Sequence, residues 1–216
     1  VDDIGQPKAA RPRIRDAQRS RAAILAAALS EFSQAGYGGA RIDRIAKAAS
    51  VHMRMIYHYF ESKEGLYLAV LEAAYDKILT LEYQLAIDLE RPLEGMLALL
   101  GFVYDYFEAN PEFEGLLLAE NAMRGRFVLQ SKEVAASSSR LRALIATLID
   151  SGERQGVFRR GLDPTQVYVS ILALSRFHLS NAYSVSALLG ADLTDPDWRR
   201  ARLDHVREML TAYLRA

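Results

Sequence analysis

Residues 36–63 limit what this chain can fold into more than any other stretch. They run Gly36-Tyr37-Gly38-Gly39, then Ile42-x-x-Ile45-Ala46-x-x-Ala49-Ser50-Val51, then His52-Met53-Arg54-Met55-Ile56-Tyr57-His58-Tyr59-Phe60, and close on Glu61-Ser62-Lys63. The glycines stop an incoming helix. Ile42, Ile45, Ala46 and Ala49 then recur on one helical face, and Ser50 fills a turn. A short second helix follows, with Val51 and Ile56 facing a small core. Ser62 can cap a third helix, with Glu64 favourably placed in its first turn. Two short helices about a tight turn are the layout of a helix-turn-helix, whose second helix enters a DNA major groove.

The rest of the chain also reads as helix. Leu25, Ala28, Leu29 and Phe32 place a first helix over 16–34. The helix opened by Ser62 is expected to reach about Asp88, long enough to leave the head and enter the body. Pro92, Asn110-Pro111, Asp163-Pro164 and Asp195-Pro196 mark helix starts, with Asn or Asp ready as N-cap in the last three. The expected helices are 92–109, 111–122, 132–154, 164–189 and 196–214, with a less regular stretch at 123–131. No alternating strand pattern occurs. The fold class is all-α: an N-terminal three-helix head over 16–66 and a helical body over 67–216, preceded by a disordered basic arm, 1–15.

Charge separates the two parts. Net charge is zero, yet residues 1–60 hold ten Lys or Arg against five acids, leaving the rest at −5. A basic head on an acidic body suits a polyanionic partner for the head alone. The absence of cysteine excludes disulfides, thiol catalysis and cysteine-ligated zinc, and it suits a cytoplasmic location. No apolar run reaches a membrane span, and Val1-Asp2-Asp3 opens without the apolar core of a signal peptide. His52, His58, His178 and His205 form no metal-binding spacing. Neither a Gly-x-Ser-x-Gly turn nor a phosphate-cradling loop occurs. No enzyme activity, cofactor or metal is expected.

The head resembles that of the TetR (tetracycline-repressor) family. Gly36-Tyr37, Ile42-x-x-Ile45-Ala46-x-x-Ala49-x-Val51 and Ile56-Tyr57-His58-Tyr59-Phe60-x-Ser62-Lys63-Glu64-x-Leu66 follow the family pattern over roughly residues 20–70. The resemblance implies a homodimeric, all-helical transcription regulator, usually a repressor, released from a palindromic operator by a small molecule bound in the body. Some positions depart from the pattern. Ser50 stands where Gly is common, His52 where Ser or Thr often opens the recognition helix, and Ala40-Arg41 where a Thr often caps the preceding helix. Base contacts are therefore not inherited, and the operator sequence is not carried over.

Geometry and resemblance together nominate His52, Met53, Arg54, Tyr57, Tyr59, Lys63 and Arg41 for DNA contact. Residues on the first turn of a recognition helix reach base edges. Arg54 can pair with guanine O6 and N7, and Met53 can pack on a thymine methyl. Tyr57 and Tyr59 match family positions that touch backbone or bases, and Lys63 matches a family phosphate contact. Arg11, Arg13 and Arg15 either neutralise phosphate or belong to a solvated tail.

In the body, aromatic and polar residues among apolar runs nominate a pocket for a small, largely apolar effector. Its candidates are Tyr83, Phe102, Tyr106, Phe107, Asn121, Phe127, Arg176 and His178, though each aromatic also reads as plain core. The resemblance places the last two helices in a dimer seam, where Val167, Ile171, Leu174, Val185, Leu203, Val206 and Leu210 form the apolar stripes. Two other readings stay open: a constitutive architectural DNA binder without effector, and an enzyme with a regulatory DNA head.

Overall fold

A computed structural model describes the backbone of residues 11–216 and the side chains of 16–134 and 140–216. Among these residues the chain forms α1 (Arg11–Gly39), α2 (Ile42–Ala48), α3 (Met53–Phe60), α4 (Lys63–Tyr83), α5 (Pro92–Ala109), α6 (Pro111–Ala122), α7 (Lys132–Arg154), α8 (Pro164–Ser180), α9 (Ala182–Leu189) and α10 (Pro196–Leu214). A single 3₁₀ turn, Val128–Gln130, lies between α6 and α7. The only β pairing among the described residues is an isolated bridge between Phe158 and Arg215.

The first helix begins earlier than its apolar pattern suggests. Residues 11–15, expected in a disordered arm, are helical, because a proline at position 12 is tolerated in a first turn whose N–H groups have no helical partner. The remainder of that arm, 1–10, lies outside the described residues. The helix breaks at Gly36, whose φ of 63° and ψ of 174° suit glycine alone. Ile24, Ala28 and Phe32 lie fully buried at four-residue spacing. On its other flank α1 packs most extensively on α6. Gly115 permits this approach, since a Cβ there would stand 2.7 Å from the Ser33 carbonyl oxygen.

Helix α4 joins head to body. Ser62 caps it as expected, accepting a hydrogen bond from the Gly65 amide at 2.9 Å. Leu66, Tyr67, Val70 and Leu71 are buried on it. It ends at Tyr83 rather than near Asp88. Helix α5 is the centre of the body, with Met96, Leu99, Leu100, Val103, Tyr104 and Phe107 buried among α6, α7, α8 and α10.

Asp163 and Asp195 cap α8 and α10, accepting from Thr165 N at 2.7 Å and Asp197 N at 2.8 Å. Asn110 does not cap α6. Its side chain is drawn away, accepting from Lys77 Nζ at 2.6 Å and donating to the Tyr106 carbonyl at 2.7 Å. The single helix expected over 164–189 is two helices. Asn181 breaks it at φ −118°, ψ 16°, with Nδ2 donating back to the Phe177 carbonyl.

Candidate nucleic-acid interface and internal cavity

The turn between α2 and α3 follows from how α2 ends. The Ser50 amide donates to the Lys47 carbonyl at 3.2 Å and the Val51 amide to the Ala46 carbonyl at 3.0 Å. These two bonds close a left-handed helix C-terminus, with Ser50 at φ 54°. Serine rather than glycine there costs on the order of 1 kcal/mol. The turn satisfies carbonyls of α2 that would otherwise be orphaned, and it sets the entry of α3.

Ile56 and Phe60, one turn apart, bury one face of α3 against Ile45 and Ala46 of α2 and the rest of the head core. That anchoring turns His52, Met53, Arg54, Met55, Tyr57 and His58 to solvent. Met55 and His58 were not among the expected contacts, although the Ile56/Phe60 spacing is enough to place them outside. Arg54 forms no ion pair among the described residues and is exposed. His52 occupies the N-cap position without a side-chain cap bond. Tyr59 is half-buried, with its ring centroid 6.2 Å from that of Phe60.

Two nominated cations are already engaged. The Arg41 guanidinium pairs with Asp43 at 3.0 and 3.1 Å and holds the exposed carboxyl below its usual range. The Lys63 ammonium donates to the Ala40 carbonyl at 2.6 Å and sits 4.9 Å from the Tyr37 ring centroid. It fastens the start of α4 to the segment after α1. Its position in sequence matches a phosphate contact, and within the head itself a carbonyl and a ring face hold the charge.

The segment between α6 and α7 fastens head to body. Glu120 is buried, and its Oε2 accepts from the amides of Phe127 (3.1 Å) and Val128 (3.0 Å). This presents the Phe127 ring to the head, 4.9 Å from Tyr37 and 4.7 Å from Tyr67. Arg126 pairs with Glu64 at the start of α4. Phe127, expected in a pocket, is therefore an aromatic rivet between the two parts.

A cavity of about 190 Å³ opens inside the body. Tyr75, Ile78, Leu79 and Glu82 of α4 form one wall. Phe102, Val103 and Phe107 of α5, Phe113, Leu117 and Asn121 of α6, Leu141 of α7, and Tyr168, Leu172 and Arg176 of α8 complete it. Of the expected residues it gathers Phe102, Phe107, Asn121 and Arg176. Tyr83 is 66% exposed on the outer face of α4, against the Arg140 guanidinium. Tyr106 packs behind the wall against Phe113, with ring centroids 5.6 Å apart. His178 is buried beside α10, its ring stacked on Tyr104 at 4.9 Å.

Glu82 and Tyr168 are the polar wall residues that the sequence did not single out for the pocket. Glu82 and Tyr168 sit in otherwise ordinary amphipathic helices. Burial pushes the Tyr75 hydroxyl up to about 12, and burial followed by the charge of Glu82 raises that of Tyr168. Arg176 makes a bidentate pair with the buried Glu114 at 2.7 and 3.0 Å, and Ser180 donates to the same carboxylate.

The apolar stripes assigned to a dimer seam divide between core and surface. Val167, Ile171, Val206 and Leu210 are buried within the protomer, while Leu174 and Leu203 pack half-buried on the same core. Val185 is half-buried on α9. The first four belong mainly to the protomer's own core. The adjacent faces of the same helices are apolar and exposed: Val169 (53%) and Phe177 (56%) on α8, Met209 (45%) and Tyr213 (44%) on α10. Helical periodicity finds an apolar helix but does not say which of two apolar faces turns inward.

A helix-turn-helix head with an exposed recognition helix, joined by one long helix to a cavity-bearing helical body, is the architecture of a DNA-binding transcription regulator. Comparison with known proteins agrees. Residues 24–70 match the bacterial regulatory proteins of the tetR family, and residues 92–210 match the tetracyclin repressor-like C-terminal domain. The HTH-type transcriptional repressor NicS of Pseudomonas putida is 34% identical over 203 residues, covering 94% of this chain and 96% of that one. The HTH-type transcriptional regulator RutR of Escherichia coli is 28% identical over 214 residues, covering 98% of each. Among solved structures, SCO4942 of Streptomyces coelicolor superposes with a TM-score of 0.65 at 28% identity, over 88% of this chain and 97% of that one. A TetR transcriptional regulator of Chloroflexus aurantiacus does so at 0.64 and 22%, over 92% and 96%. The chain belongs to the TetR family of helix-turn-helix transcription regulators. No helix among the described residues is long and apolar enough to cross a membrane.

Proposed function

We propose that the protein is a cytoplasmic repressor that binds a palindromic operator as a homodimer and leaves it when a small, largely apolar effector fills the body cavity. One observation carries this reading. Helix α4 contributes Leu66, Tyr67 and Val70 to the core near the recognition helix, and Tyr75, Ile78, Leu79 and Glu82 to the cavity wall. A ligand shifts an equilibrium only by its differential affinity for the two states. One that fits the cavity better when α4 is displaced therefore moves the head.

The dimer pairs the exposed faces of α8 and α10, setting two recognition helices about 34–36 Å apart or at a multiple of that spacing. His52, Met53, Arg54 and Tyr57 contact the operator, with Met55 and His58 on the same exposed helix. The domain limits that suit this action are a head over 16–66 and a body over 67–216, with α4 spanning the division.

Selection of bound DNA from a random pool gives half-site sequence, spacing and stoichiometry together. A metabolite screen on the resulting operator complex follows. Ligands that raise the melting temperature and release the operator support the reading. Ligands that stabilise without release, or no stabilising ligand at all, favour a constitutive architectural binder.

A further inference from the structure

We propose that the effector is a small, flat ring compound carrying a basic or N–H-donating nitrogen, held with that nitrogen against the Glu82 carboxylate. The inference rests on the reading of the cavity as the effector site. It begins with the charges that line the cavity, Glu82 and Arg176. Arg176 is matched: both carboxylate oxygens of Glu114 accept from it, and Glu114 is itself buried. Glu82 has no hydrogen bond and no ion pair among the described residues. The cation that acts on it, Arg140, is laid over the Tyr83 ring on the outer side of α4.

Burial raises the Glu82 carboxyl above the usual carboxylate range, as expected where a charge lacks a partner at hand. A donor nitrogen on the ligand supplies that partner. An anionic ligand meets the opposite situation. It would be repelled by Glu82, and the one guanidinium in the wall already has its charge matched by Glu114.

Shape and lining agree. A 150 Å³ apolar cavity holds benzene, so about 190 Å³ suits one ring with a short substituent. Tyr75, Phe102, Phe107 and Tyr168 make the wall around such a compound aromatic, and aromatic rings attract cations. The hydroxyls of Tyr75 and Tyr168 form no hydrogen bond among the described residues and remain available as secondary contacts. Glu82 also stands in the last turn of α4, the helix that runs back to the head.

Three compounds of one shape test this: benzamidine, benzamide and benzoate, titrated calorimetrically into the full chain and into Glu82→Gln. The wild type is expected to bind benzamidine at least about tenfold more tightly than benzoate, as one charge-assisted contact allows. Glu82→Gln keeps the side-chain shape and is expected to erase that preference while changing benzamide far less, because the new carboxamide oxygen still accepts from its N–H. Circular dichroism confirms that the variant is folded. Equal or tighter binding of benzoate, a preference unchanged in the variant, or no binding by any of the three at millimolar concentration overturns the proposal. Operator release is read separately. Benzamidine binding without release leaves the ligand class standing and removes the effector role, whereas release by an anionic compound does the reverse.

Discussion

At the scale of single residues, Arg54 and Lys63 show how similar charges take different tasks. Arg54 projects from the first turn of α3 with no ion pair among the described residues. Arg54→Ala is expected to cost about 1–3 kcal/mol on the best operator and to relax preference at one base pair per half-site, which a binding titration against single-base variants measures. Lys63 donates to the Ala40 carbonyl. Lys63→Ala is therefore expected to lower stability by about 1 kcal/mol and to leave the salt dependence of DNA binding unchanged. A salt slope reduced by about one unit per site would instead return the ammonium to a phosphate.

His178 gives the protein a pH dependence. Burial, then the charges of Arg202 and Arg199, lower its pKa to about 4. Glu114 pulls the other way, and the ring lies between Tyr104 and Trp198. The unfolded chain takes up this proton near pH 6.5, and the folded chain only near 4. The stability is therefore complete above about pH 6.5 and is lost as pH falls toward 4. Urea unfolding at pH 7 and pH 5 should show a drop about 2 kcal/mol larger in the wild type than in His178→Phe.

At the scale of elements, the turn from α6 to α7 decides whether body and head move together. Glu120 caps the amides that present Phe127, and Phe127 rests on Tyr37 and Tyr67. Phe127→Ala empties a buried aromatic site, which costs about 3–5 kcal/mol. Its effect should fall on coupling as well. Calorimetric unfolding is expected to separate into two transitions, and a bound ligand to release the operator less completely. A single transition merely shifted downward would mean that α4 and the α1–α6 contact suffice to join the two parts. The break at Asn181 belongs to this scale too, because α9 turns Tyr183, Leu188 and Leu189 to solvent instead of extending α8.

At the scale of the whole molecule, the proposed dimer tests the division between core and surface. Phe177 is exposed in the protomer, so Phe177→Asp should preserve helicity and melting temperature while sedimentation shows monomers and DNA affinity falls. Leu210 is buried, so Leu210→Asp places a charge inside the protomer and should unfold it instead. The two helices of the proposed seam thus answer an aspartate in two ways, according to whether the residue replaced is exposed or buried. A Phe177→Asp protein that remains dimeric would place the seam elsewhere.

The chain order alone determined the all-α class, most helix limits after Pro92 and the position of the recognition helix. These depend on local chemistry: proline at helix starts, the Ser62 cap, glycine at the Gly36 break, and apolar spacing on α2 and α3. Asn110 shows where local signals stop, since a lysine 33 positions earlier takes the carboxamide that would have capped α6. The cavity was half legible, with Phe102, Phe107, Asn121 and Arg176 in the wall and Tyr83, Tyr106, Phe127 and His178 outside it. An aromatic on an amphipathic helix carries no mark that separates a pocket from a core. That separation depends on the space left between α4, α5, α6 and α8 once every other side chain is packed. Tertiary structure also gave Lys63 to a backbone carbonyl and left Glu82 without a partner among the described residues. Whether a charge is satisfied depends on neighbours distant in sequence, which only the packed fold brings within reach.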